Sequence, residues 1–127
     1  MMAAASALAE KPQRIYDLFH NTEVSPQGMY AVNLFALGVP YTTYVDDYVP
    51  IQRDGSPLFA SVGSDEALWG PILEKAIAKY VGNYSHMNLG RNDDGISFLN
   101  GGPNYYIVNQ NTEKFKEDLW KRINFHE

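Results

Sequence analysis

The chain has 127 residues, 45% hydrophobic and 20% charged, with a formal net charge of −5 and no cysteine. One globular domain with a modest core fits that length and composition, and the acidic balance argues against nucleic acid or an anionic membrane as partner. No apolar run reaches the roughly 20 residues that span a bilayer, and the missing thiols exclude a disulfide framework, a thiolate zinc site and a cysteine nucleophile within these residues.

Residues 2–10 are strong helix formers, alanine above all, and predict a first helix. The same opening lacks the basic region of a secretory signal, runs straight into Glu10, and has no arginine before Arg14, which disfavours a mitochondrial presequence. Pro12 suits the first turn of a short second helix through Ile15, Leu18 and Phe19. After a polar, turn-rich stretch at 21–28, residues 29–37 and 41–45 are rich in aromatic and β-branched side chains, and Gly38-Val39-Pro40 between them predicts a hairpin. Its alternation is incomplete, as in a strand covered on both faces.

Residues 46–63 read as a loop. The clearest helix is expected over 65–81, with Ser64 as N-cap and Asp65 and Glu66 in a first turn where the helix dipole favours negative charge. Leu68, Ile72, Leu73, Ala76 and Tyr80 define its apolar face, Pro71 is early enough to be tolerated, Gly82 closes it, and Trp69 is expected to be largely buried. Residues 88–95 read as a loop, Ile96, Phe98 and Leu99 as a short helix, 105–108 as a strand, and 112–123 as a last helix capped by Thr112 with Phe115, Leu119 and Ile123 on one side. The fold class is α+β, and no internal repeat is present.

Candidate chemistry is sparse. His20, His86 and His126 have no partner at metal-ligand spacing and read as loop or helix-end residues. Asp46-Asp47 could suggest divalent metal or acid–base work, but neighbours on an extended chain point to opposite faces, which favours turn-forming and capping roles. Asn92-Asp93-Asp94-Gly95 lacks the alternating carboxylates and terminal glutamate of a calcium loop and reads as the start of a helix. Gly101-Gly102 is followed by no lysine or hydroxyl at phosphate-loop offset, and no serine sits in a nucleophile-elbow pattern.

The order of motifs carries more. The run from Gly28 to Phe35, a turn, then Tyr44-Val45-Asp46-Asp47-Tyr48-Val49-Pro50 resembles calpains, in which a hairpin leads into a Val-Asp-Asp-hydrophobic-hydrophobic-Pro segment. Asp54-Gly55-Ser56-Pro57-Leu58-Phe59 is similar to that family's approach to its long helix. Leu68-Trp69, Leu73-Glu74-Lys75-Ala76, Ala78-Lys79 and Gly82-Asn83-Tyr84 fall in the family's register, and Asn100-Gly101-Gly102 matches its Thr-Gly-Gly. The likeness runs from about Ala3 to Val108.

The resemblance implies part of a papain-like protease core, with residues 1–100 as most of the first subdomain and 101–127 as the beginning of the second. In that family the nucleophile stands at a helix N-terminus, where the dipole lowers a thiol pKa. Its position would fall about two residues before Met1. Histidine and asparagine would come from the second subdomain, about 130–150 residues beyond the cysteine. His126 stands near that range, but its surroundings do not resemble the family's Gly-His-Ala setting, so the role is not carried over and no catalytic residue is expected in this chain.

Gly90 matches the second glycine of the family's substrate-binding pair, with Leu89 replacing the first. The family's calcium carboxylate falls at Ala67, so neither calcium nor any other cofactor is expected. The expected function is that of an inactive calpain-like module, a structural or interaction subunit of an intracellular, cytoplasmic assembly. The alternative is a truncated part of a calcium-dependent cysteine endopeptidase. Tyr105, Tyr106, Phe115, Leu119, Trp120 and Phe125 are expected to offer an apolar surface to a protein partner.

Overall fold

The structure is a computed structural model that describes residues 2–63, 66–87, 92–104 and 113–124. In chain order these form α1 (Met2–Ala9), α2 (Pro12–Tyr16), β1 (Met29–Ala36), β2 (Val39–Asp46), α3 (Trp69–Val81), α4 (Tyr84–Met87), α5 (Asn92–Asn100) and α6 (Glu113–Asn124). β1 and β2 pair antiparallel, from Met29↔Asp46 to Ala36↔Val39. Helices with a two-stranded sheet make the described residues an α+β fold.

The core lies between the hairpin and the helices. α3 packs on both strands, α5 on β1, and α1 on α5 and α2. Val32, Leu34, Ile72, Leu73 and Ile77 are the largest side chains buried almost completely. On α1 the alanines perform the packing: Ala4 and Ala5 are buried where that helix meets its neighbours, and their small side chains let backbones approach closely. The apolar face expected on the long helix is present, with Ile72, Leu73 and Ala76 buried and Leu68 and Tyr80 packed beside them.

Four expectations need correction. The hairpin turn is Leu37-Gly38, both at positive φ (51° and 80°), not Gly38-Val39-Pro40. That geometry is the two-residue turn whose twist suits a hairpin. Pro40 therefore lies inside β2, opposite Phe35. Pairs alternate along an antiparallel ladder, so Pro40 falls at a non-hydrogen-bonded pair, where its missing N–H costs no rung.

The long helix begins at Trp69, four residues later than expected, with Leu68 as N-cap and no side-chain cap. Pro71 decides this: in a helix starting at 65 it would remove an interior bond and clash with the preceding turn. Starting at Trp69 puts it in the first turn, and the first helical bond runs from Ile72 N–H to Leu68 C=O at 3.1 Å. Trp69, expected to be largely buried, is half-buried at the edge of the core. Residues 92–95 open α5, which corrects the loop reading of that stretch and agrees with Asn92-Asp93-Asp94-Gly95 as the start of a helix. The Ser64 and Thr112 caps and the 105–108 strand lie outside the described residues.

Candidate functional site

Two concave regions flank α3, and both are built from segments far apart in sequence. The first lies where α3 meets β2. Lys75 and Lys79 stand one helical turn apart and reach across to that strand. Lys75 Nζ pairs with the Asp46 carboxylate and donates to the Tyr48 carbonyl, while Lys79 Nζ donates to the Tyr44 carbonyl at 2.6 Å.

Asp46 Oδ1 also accepts from Tyr48 N–H at 2.9 Å, and these bonds, that from Lys75 foremost, hold its carboxyl below the usual range. Asp47 meets a different group. Its carboxylate occupies the space where a Cβ on Gly28 would lie, 2.8 Å away, and its N–H donates to the Gly28 carbonyl at 3.0 Å. The two carboxylates thus engage different partners at the open end of the hairpin, Asp46 with Lys75 and Tyr48 N–H and Asp47 beside Gly28.

Below this edge Glu74, 9% exposed, accepts from Ala60 N–H at 2.8 Å and ties the loop after β2 onto α3. Phe59 in that loop stacks on Tyr84, with ring centroids 4.4 Å apart and planes 7° from parallel. Burial, and secondarily the charges of Glu74 and Asp46, raise the Tyr84 hydroxyl's pKa.

The second region is a cavity of about 490 Å3 between α2, the 19–24 loop and the approach to α3. Tyr16, Phe19, Tyr30 and Trp69 form its aromatic walls, and Glu23 and Glu66 are its carboxylates. Glu66 is not on a helix, contrary to expectation. It adopts φ 60°, held by its own N–H on the Gly63 carbonyl at 2.9 Å and by Gly63 N–H on Ala67 C=O at 3.4 Å. Glu66 and Ala67 therefore line the same cavity.

Ala67, the position matching the calcium carboxylate, offers no side-chain oxygen. Among the described residues no three of His, Cys, Asp and Glu gather to hold a metal ion. The position that the resemblance assigns to the calcium carboxylate therefore supplies no side-chain donor.

The histidines are structural where described. His20 Nε2 hydrogen-bonds Asn33 Oδ1 at 2.8 Å, and His86 Nδ1 donates to the Val81 carbonyl at 2.9 Å at the end of α3. Ser25, Ser56 and Ser97 hydroxyls donate to Gln27, Asp54 and the Gly102 carbonyl respectively, not to a histidine. Gly90 and His126 lie outside the described residues. Sequence reasoning missed the aromatic cavity and the burial of Glu74; the signal for the latter was a glutamate placed between Leu73 and Ala76 on the apolar side of its helix.

The whole chain, residues 1–127, matches the calpain family cysteine protease. It belongs to the calpain family. It is 33% identical over 99 residues to the calpain-type cysteine protease DEK1 of Zea mays, covering 78% of this chain and 5% of that protein. The calpain-type cysteine protease ADL1 of Oryza sativa subsp. japonica is similar to the same extent, 33% over 99 residues and 5% of its length. Calpain-7 of Homo sapiens is 28% identical over 96 residues, 76% of this chain and 12% of that protein. The chain thus spans a small part of these calpain relatives.

Proposed function

We propose that this stretch is a non-catalytic calpain-like module, a structural or interaction piece of a larger assembly. Residues 1–100 would supply most of the first subdomain of a papain-like core, and residues 101–127 the start of the second. The observation that carries the reading is chemical. The family's reaction needs a thiolate nucleophile, and these 127 residues contain no cysteine. The described histidines are engaged with Asn33 and with the end of α3, away from any nucleophile.

The expected partner is a protein in an intracellular, cytoplasmic setting. Trp120 on α6, 64% exposed, supports the C-terminal region as the docking face. Among the described residues no helix is long and apolar enough to cross a membrane.

Purified chain is expected to leave calpain peptide substrates intact with or without calcium. Turnover that persists after rigorous removal of contaminating proteases would refute this. One observation favours a second reading, in which the stretch is part of a calcium-dependent cysteine endopeptidase: it covers only 5% of the plant relatives' length. The intact mass of the natural protein separates the two. A mass near 14.3 kDa supports the short module, and a much larger one the protease.

A further inference from the structure

The cavity beside Trp69 has a composition that the calpain motifs do not explain. Four aromatic residues, Tyr16, Phe19, Tyr30 and Trp69, line it together with the acidic residues Glu23 and Glu66. Among the described residues no Lys, Arg or His lines it, and neither carboxylate has an ion-pair partner.

Its floor is rigid. Ile15, Tyr30 and Ile72 are buried to 5%, 6% and 2% exposure, and the Tyr30 hydroxyl accepts from Ser25 N–H at 3.2 Å. The wall that carries Glu66 is fixed by the two backbone bonds of residues 63–67, which hold a glutamate in the left-handed region it ordinarily avoids.

We propose that this cavity binds an arginine side chain of a partner polypeptide. Ring faces attract cations, most strongly when water is displaced. A guanidinium can stack flat on an aromatic ring while its edge donates to carboxylates, a combination the compact lysine ammonium does not offer. Apolar floor residues accommodate the methylene stem and an adjoining aliphatic side chain. The inference rests on the reading of the stretch as an interaction module, naming one feature of its partner; the hydrolysis assay tests that reading separately.

The chain has two tryptophans, so Trp120→Phe leaves Trp69, in the cavity wall, as the only indole reporter. Titrating this variant with acetyl-Leu-Arg-Leu-amide should give a saturable change in Trp69 emission. The citrulline analogue, isosteric but neutral, should bind about tenfold more weakly. Glu23→Gln and Glu66→Gln, each checked for folding by circular dichroism, should each weaken binding about threefold, and added salt should weaken it further. Glu23 is exposed, so that variant keeps the test informative if Glu66→Gln disturbs its strained segment. No saturable change up to about 10 mM peptide, equal binding of the citrulline peptide, or indifference to Glu23→Gln would each overturn the proposal.

Discussion

Replacing Gly101 by alanine should be strongly destabilising. Gly101 follows the last residue of α5, has φ 69°, and donates its N–H to the Ser97 carbonyl at 3.0 Å. This is the left-handed residue that ends a helix. A Cβ there would lie 2.5 Å from Phe35 Cδ1 and 2.8 Å from Phe35 Cγ. Cγ is fixed directly to its own Cβ on β1, so the ring cannot yield by moving only its far end.

Two costs add. Left-handed backbone costs a non-glycine residue about 1 kcal/mol or somewhat more, and overpacking costs about 1–3 kcal/mol, giving roughly 3 kcal/mol in all. For a chain of this size that corresponds to a fall in Tm of about 10–15 °C. Thermal and urea unfolding followed by circular dichroism would measure it. In a Phe35→Ala background the clash is gone, so adding Gly101→Ala should then cost only about 1 kcal/mol, leaving a coupling of about 2 kcal/mol. If Gly101→Ala stays within about 0.5 kcal/mol of the parent, or costs the same in both backgrounds, the steric account is wrong.

Leu37 offers the opposite change. It holds φ 51° in the hairpin turn and is 99% exposed, so Leu37→Asn loses no burial. It creates the favoured Asn-Gly turn and should stabilise by about 0.5–1 kcal/mol in urea unfolding; no gain would mean the turn is not of this type. Glu74→Ala removes the buried acceptor of Ala60 N–H and should cost about 1.5–3 kcal/mol by the same measurement, since hydrogen bonds to charged groups lie in that range. The Asp46 carboxyl titrates below its ordinary value of 3.8 in the folded chain, chiefly through its bond from Lys75. Its contribution to stability is therefore fully present well above pH 3.8 and lost as pH falls through the lower folded value. Asp46→Asn should flatten that part of the pH–stability curve, and an unchanged acid limb would show that the pair contributes nothing.

Most of the fold was legible because its signals are local. Alanine-rich helix, amphipathic α3 and the β-branched hairpin each follow from residues adjacent in sequence. The misplacements mark where a strong local signal met a stronger constraint. Ser64-Asp65-Glu66 looks like a helix start, yet Pro71 moves the start to Trp69 by removing an N–H that only the first turn can spare. Pro40 looks like a turn residue, yet ladder parity admits it inside β2, and Leu37 takes a turn position its composition does not announce. The aromatic cavity was illegible for a different reason. It is assembled from three separated segments, and the backbone inversion that brings Glu66 to its wall leaves no mark in composition.

The residues that carry the family resemblance turn out to perform architectural work. Glu74 ties down the loop after β2, Lys75 and Lys79 bridge α3 to the hairpin, Tyr84 stacks on Phe59, and Gly101 makes room for Phe35. Each contact joins α3, α4 or the end of α5 to the hairpin or its following loop, so together they tie these helices to the hairpin. None of them supplies a nucleophile or a base. The interactions that specify the framework are thus separate from those that would perform the reaction. Family membership accordingly bears strongly on fold here, whereas catalysis would need a nucleophile and a general base that these contacts do not provide.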